Sequence, residues 1–275
     1  MKALVYDGPK AVSYREVSDP IPSQDNVLIK IKAVGICGSD MHAYLGHDER
    51  RPAPLILGHE AAGTISGGDR DGERVTINPL VSCGTCWACC KGRENICPNR
   101  QIISMPPREG AFAQYVTMPE QNLVIVPSDY SLQKAALVEP LAVGWHTAKL
   151  AVHSIDINME KRALIIGGGA IGLATALALR AMGIDDIVIS EFNPLRRGYL
   201  QEHIDAKVVE KTEDSFPIVI DAVGFGTTRA VASQLVSPGG VIAHVGLGDN
   251  ADGLDIRRFT LQAVSYTHLT LPTML

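Results

Sequence analysis

Ala163-Leu164-Ile165-Ile166-Gly167-Gly168-Gly169-Ala170-Ile171-Gly172 is an apolar run of strand length that breaks into the pattern G-x-G-x-x-G and continues, through Leu173 to Met182, as an apolar helix. Gly167, Gly169 and Gly172 permit a tight turn and let a pyrophosphate approach backbone amides, while the helix N-terminus favours its negative charge. Nineteen residues beyond Gly172 stands Glu191, at the end of a second apolar run, Asp186 to Ser190. A carboxylate there accepts the hydroxyls of an adenosine ribose and repels a 2′-phosphate, which reads as NAD rather than NADP. Gly167, Gly169, Ile171, Gly172, Glu191 and Arg196 are the candidate cofactor contacts. Arg196 and Arg197 are also placed to meet a 2′-phosphate, although with Glu191 present a surface or helix-packing role fits them better. The plainer alternative, glycines that only pack a helix on a strand, has to account for strand, turn, helix and acid together.

Outward from this stretch, strands and helices alternate. Arg162 to Ile166, Asp186 to Ser190, Lys207 to Val209, Ile218 to Asp221 and Gly240 to Gly246 read as strands, with helices near 170–182 and 227–236. Such alternation implies a doubly wound parallel sheet in an α/β domain. Glu210 to Pro217 leaves no room for a full helix between the third and fourth strands. Residues 1 to about 127 differ, with alternating runs such as Asn26-Val27-Leu28-Ile29-Lys30-Ile31 between Gly and Pro turns, and predict a β-rich first domain. From Ser131 the pattern becomes helical. The expected division is a first domain over 1–148, a nucleotide-binding domain over 149–263 and a tail over 264–275.

Cys83, Cys86, Cys89 and Cys97 form C-x2-C-x2-C-x7-C, a spacing that wraps four thiolates around one ion. Four cysteines close the coordination shell, so this loop predicts a structural zinc, and the chemistry lies elsewhere. Cys90 is the spare thiol. A disulfide framework suits short secreted chains, whereas this one has 275 residues, six cysteines and no signal peptide, and a cytoplasmic location is expected.

With 46% hydrophobic residues the chain can build two cores. Its net charge of −5, without a basic stripe, speaks against nucleic acid. The uncharged stretch Ala163 to Leu179 is too short and too glycine-broken for a membrane span.

Upstream lie Gly35-Ile36-Cys37-Gly38-Ser39-Asp40-Met41-His42 and Gly58-His59-Glu60-Ala61-Ala62-Gly63, and further on Val138-Glu139-Pro140-Leu141. They supply a thiolate, an imidazole and two carboxylates, enough for a catalytic zinc with three protein ligands and an open position. Each has a plainer reading alone: a buried thiol, a core histidine, surface acids.

These motifs in this order, with Gly72-Glu73-Arg74-Val75, the four-cysteine loop and the glycine fingerprint, resemble the zinc-dependent medium-chain alcohol and polyol dehydrogenases, sorbitol-type dehydrogenases above all. The resemblance covers residues 1 to about 263. It implies a GroES-like catalytic domain followed by a Rossmann domain, a small alcohol or polyol substrate, NAD and zinc as cofactors, and a homo-oligomer. It implies that Cys37 and His59 bind catalytic zinc, that Glu60 is a ligand or near-ligand, and that Glu139 takes a further position directly or through water. A carboxylate at Glu139, where simpler alcohol dehydrogenases carry cysteine, points to the polyol branch. Ser39 would take the hydroxyl proton and pass it to His42, with Asp40 orienting His59.

The chain departs from the family pattern in two places. Gly67-Gly68-Asp69-Arg70-Asp71 replaces a longer stretch, as a trimmed hairpin would. Beyond Leu261 the family continues for tens of residues, whereas Val264 to Leu275 matches nothing in it and is too short to supply a sixth strand and a return segment. That predicts an incomplete Rossmann sheet, a weakened oligomer and no role for His268. A metal-stabilised, nucleotide-binding fragment without turnover is therefore the competing reading, but such a binder has no need of Ser39 and His42.

Overall fold

The computed structural model describes residues 1–23, 25–249, 252–261 and 264–268. It divides into two compact units, Met1 to Glu139 and a second that begins at Pro140. The division falls inside a helix, ahead of the 148/149 boundary expected from the change in pattern.

The first unit contains β1 (Lys2–Gly8), β2 (Ala11–Glu16), β3 (Asn26–Gly35), α1 (Gly38–Tyr44), β4 (Leu55–Ile56) and β5 (Glu60–Ser66). It continues with β6 (Arg74–Ile77), β7 (Leu80–Val81), β8 (Gln101–Ile102), β9 (Tyr115–Pro119), β10 (Leu123–Ile125) and the short α2 (Leu132–Ala135). Antiparallel strands in the order β10-β6-β5-β3-β9 make the main sheet, and β2-β1-β4 a smaller one. The alternation read in β3 turns Val27, Ile29 and Ile31 toward one core with Ile65, Val75, Ile77, Val116 and Met118. β5 and β6 are joined by the trimmed hairpin, with Gly67 and Gly68 at positive φ.

The register of β3 against β5 matters most for the site. It sets Gly35 opposite Glu60, and a Cβ on Gly35 would lie 2.1 Å from Glu60 Oε2. A side chain at Gly35 would displace that carboxylate from its present position. β3 then ends at Gly35, two residues before Cys37, while β5 begins at Glu60, immediately after His59. Antiparallel pairing thus delivers both sequence motifs to the same end of the sheet.

The second unit follows from α3 (Val138–Ser154) through β11 (Arg162–Ile166), α4 (Ala170–Ala181), β12 (Asp186–Ser190), α5 (Pro194–His203) and β13 (Lys207–Val209). β14 (Phe216–Asp221), α6 (Gly226–Leu235), β15 (Val236–His244), α7 (Ile256–Leu261) and β16 (Ser265–His268) complete it. Its sheet is parallel, in the order β13-β12-β11-β14-β15-β16, which is the doubly wound dinucleotide-binding order with its switch point between β11 and β14. Both faces are buried: Ile165, Ile189, Ile220 and Ala243 enter one core, and Leu164, Val188, Val219 and Ile242 the other. This explains why the strands read as continuous apolar runs. β14 and β15 begin earlier than expected, and β15 ends at His244 rather than Gly246. α5 was not anticipated, although its start is written in Asn193-Pro194: the Asn193 side chain accepts from Leu195 N at 2.9 Å and Arg196 N at 3.2 Å. No helix separates β13 from β14, as the spacing required.

The expectation of an uncovered fifth strand is corrected. Ser265–His268 pairs in parallel with Val241–His244, so part of the tail forms the sixth strand; residues 269–275 lie outside the described residues. The physical reason is that an open strand edge accepts any short extended segment whose alternate side chains can be buried. Val264 and Tyr266 supply those side chains, and the Tyr266 ring stacks on Phe259 at 6.1 Å and on His244 at 6.2 Å. Among the described residues no helix is long and apolar enough to cross a membrane.

Tyr266→Ala should lower stability by about 1–3 kcal/mol through lost burial, measured by urea unfolding. A midpoint unchanged in that variant and in a chain lacking 264–275 would show that β16 adds nothing.

Candidate active site

The cysteine loop forms first-rank geometry for a closed metal shell. Cys83, Cys86, Cys89 and Cys97 gather their sulfurs within 4.8 Å of one another, with Sγ–Sγ separations of 3.4 Å for Cys86–Cys89, 3.6 Å for Cys83–Cys97 and 3.9 Å for Cys83–Cys89. Four sulfurs placed about 2.3 Å from a tetrahedral ion would stand about 3.8 Å apart, so the donors fit zinc. Backbone amides of Thr85 and Cys86 directed at Cys83 bring its pKa down to about 5, a thiolate poised for a cation. Cys90 is exposed and turned toward the Thr85 carbonyl, outside the cluster.

The second cluster lies where β3 and β5 converge. Cys37, His59 and Glu60 bring one donor atom each within 4.8 Å of the others. Cys37 is the N-cap residue of α1, and the helix's own Asp40 folds back onto it: Oδ2 accepts from Cys37 N at 2.9 Å and Oδ1 from Gly58 N at 3.1 Å. Asp40 Oδ1 also stands 3.6 Å from His59 Nδ1, and the Ser104 hydroxyl lies 3.4 Å from the same nitrogen. Nδ1 is thus engaged by protein, which leaves Nε2 as the nitrogen a metal ion could use. A soft sulfur, an imidazole and a carboxylate in one place suit zinc.

The electrostatics are those of a desolvated, mutually charged group. Burial opposes a charge on His59, but Asp40 and Cys37 outweigh it and hold its pKa well above the usual imidazole value. Burial likewise pushes against ionised Asp40, yet His59 and the amides of Cys37 and Gly58 keep its carboxyl low. Glu60 is raised by burial. Glu139, near the start of α3, lies outside the cluster of three donors but feels it: burial carries its pKa to about 7, with Glu60 and Asp40 pushing up and His59 pulling down. A cation would relieve this excess of buried carboxylate.

Ser39 and His42 both sit on α1. Ser39 Oγ is 3.4 Å from Nη2 of Arg51, a residue buried to 3% exposure that no motif had marked. His42 is half-buried, its ring 6.4 Å from that of His47. Ser104 and Arg51 carry no sequence signal, because their importance comes only from folding.

In the second unit, Gly167 adopts φ +96°, and a Cβ there would strike Val223 at 2.4 Å; at Gly172 it would strike the Gly167 carbonyl oxygen at 1.9 Å. Gly169, the N-cap of α4, faces open space. Two glycines therefore shape the turn and the third leaves room before a helix N-terminus, a cradle that fits a pyrophosphate. Ile171 is packed against the core instead. Glu191 is buried, its Oε2 accepting from Gly168 N at 2.9 Å and its Oε1 from Asn193 N at 2.7 Å. Arg196 turns back onto Glu191 at 3.2 Å. Arg197 donates to the carbonyls of Glu191 and Phe192 and pairs with Glu210, the packing role the sequence favoured.

Comparison with known proteins agrees with this geometry. The alcohol dehydrogenase GroES-like domain matches residues 23–128. Sorbitol dehydrogenase of Bacillus subtilis (strain 168) is 38% identical over 205 residues, 71% of this chain, which spans 57% of that relative's length. L-galactonate-5-dehydrogenase of Escherichia coli (strain K12) is 32% identical over 90% of this chain and 76% of its own. An alcohol dehydrogenase from Escherichia coli CFT073, solved with NADH, superposes with a TM-score of 0.87 at 27% identity, covering 99% of this chain and 84% of that one. The chain belongs to the zinc-dependent medium-chain alcohol and polyol dehydrogenases, oxidoreductases that use zinc and a nicotinamide dinucleotide.

Asp40→Ala should free His59 to rotate and weaken zinc retention by about 10–100-fold, read as metal content after dialysis against a chelator. Zinc uptake should also tighten as pH rises through about 7, because the proton held by the raised Glu139 carboxyl competes with the cation. Uptake indifferent to pH would separate Glu139 from the metal.

Proposed function

We propose that this chain oxidises a secondary alcohol or polyol to the ketone with NAD, through a catalytic zinc held by Cys37, His59 and Glu60, with Glu139 beside it. The convergence of those three donors on one point carries the reading. Bound there, zinc supplies Lewis acidity to the substrate hydroxyl, and the dinucleotide supplies the hydride acceptor. Asp40 holds the His59 ring by its Nδ1 side, so the other nitrogen stays aimed at the cluster. Ser39 accepts the proton of the substrate hydroxyl, and His42, on the same helix, exchanges it with solvent.

Glu191 sets the choice of NAD over NADP. Its carboxylate is already fixed by Gly168 N and Asn193 N beside the phosphate turn, where it can accept ribose hydroxyls and repel a 2′-phosphate. Arg196 then serves to hold Glu191 rather than to bind phosphate. The carboxylate at Glu139 supports a polyol as substrate, in line with the names of the relatives. The six unpaired cysteines suit a reducing, cytoplasmic setting.

Cofactor reduction followed across a panel of polyols and simple secondary alcohols tests the proposal directly. Purified protein should hold about two zinc ions, one resistant to chelation. Cys37→Ser should remove the labile ion and the activity, whereas Cys86→Ser should cost folding. A Cys37→Ser protein with both ions and full turnover would sink the assignment.

Glu191→Ser should narrow the preference for NAD, since acceptor and repelling charge are lost together. A wild-type chain that already prefers NADP would overturn the reading of Glu191.

A further inference from the structure

The side chain of Arg51 is 2% exposed and lies among groups that serve the candidate zinc site. Its guanidinium makes three directed contacts: Nη1 with Asp48, Nε with the Ser104 carbonyl at 3.0 Å, and Nη2 with Ser39 Oγ at 3.4 Å. Ser104 itself sits at φ +64°, a conformation that costs a non-glycine residue, and is wholly buried with its hydroxyl toward His59. Asp48 does not require Arg51 for charge balance, because Arg50 pairs with it at 2.8 and 2.9 Å. Burying a guanidinium is costly, and here the fork spends its donors on Ser39 and on the carbonyl of the residue behind His59.

We propose that Arg51 is a positioning residue for the Ser39 hydroxyl, anchored by Asp48 and Ser104 so that its third contact holds Ser39 Oγ in one orientation. The inference rests on the proton relay proposed above. A hydroxyl has one hydrogen and two lone pairs. With an Arg51 N–H against one lone pair, the other remains to accept the substrate's proton while the Ser39 hydrogen leaves in the direction of His42. One proton arrives and one departs, so Ser39 ends unchanged. The planar fork of arginine spreads its donors over three nitrogens and so reaches Asp48, the Ser104 carbonyl and Ser39 in three fixed directions. The three N–H groups of a lysine radiate from a single nitrogen and cannot reproduce that spread.

The test is a double-mutant cycle on the zinc-loaded protein with its best alcohol from the panel, using Arg51→Gln, Ser39→Ala and the pair. Arg51→Gln should lower kcat about tenfold or more, as small misplacements of a reacting group do, with KM within about twofold and zinc content unchanged. In the Ser39→Ala background the same change should add less than about twofold, because the group it positions is gone. Arg51→Lys, which keeps a charge beside Asp48, should fold and show the same kcat loss, and it replaces Arg51→Gln if that variant does not fold. Full additivity, unaltered kcat in Arg51→Lys, or a loss explained by missing zinc overturns the inference. Intact kcat in Ser39→Ala alone would instead overturn the relay, and this inference with it.

Discussion

One buried carboxylate organises the first unit's site. Asp40 is 3% exposed, and its two oxygens tie the entrance of α1, the turn before His59 and the imidazole itself into one network. An ionised carboxylate out of water is tolerable only when each oxygen is paired, so the geometry is narrowly defined: move the helix or the turn and a partner is lost. The sheet beneath sets the same distances independently through the β3–β5 register and the close approach of Glu60 to Gly35. Two constraints of different kinds, polar pairing above and strand register below, agree on where Cys37 and His59 must lie.

The second unit repeats the device. Buried Glu191 at the end of β12 accepts amides of Gly168, in the turn after β11, and of Asn193, in its own following loop. Buried Asp221 at the end of β14 accepts amides of Val223 and Gly224 in the loop that follows it. Asp221 also accepts from the Thr228 hydroxyl and stands 3.3 Å from His244. Loops at the carboxyl ends of parallel strands form the ligand side of such sheets, and the acids hold those loops in shape before any cofactor arrives. Preorganisation of this kind reduces the ordering cost of binding.

Charge and metal are coupled throughout the first site. Burial pushes Glu60 and Glu139 above the usual carboxylate range, while Asp40 and Cys37 raise His59 against the opposing effect of burial. Three carboxylates around one imidazole and one thiol are stable company only with a cation or with protons among them. That places the protonation state of the site and the binding of any cation there on the same footing.

Much of the fold was legible in the chain because its signals are local. A period of two in Asn26–Gly35, unbroken apolar runs at 162–166 and 186–190, glycines at fixed offsets and cysteines at C-x2-C-x2-C report pleat, burial, turn and coordination through nearest neighbours. Cys37, His59, Glu60 and the four-cysteine set could be named for the same reason, since each motif is a short stretch with its own chemistry. Tertiary structure alone decided the rest. Arg51 and Ser104 are ordinary residues until the fold brings the guanidinium to Ser39, 12 positions away, and the hydroxyl to His59, 45 positions away. The pairing of Ser265–His268 depended on an open edge at β15, not on any pattern in the tail, because backbone groups seeking hydrogen bonds accept a strand by shape and burial rather than by family likeness.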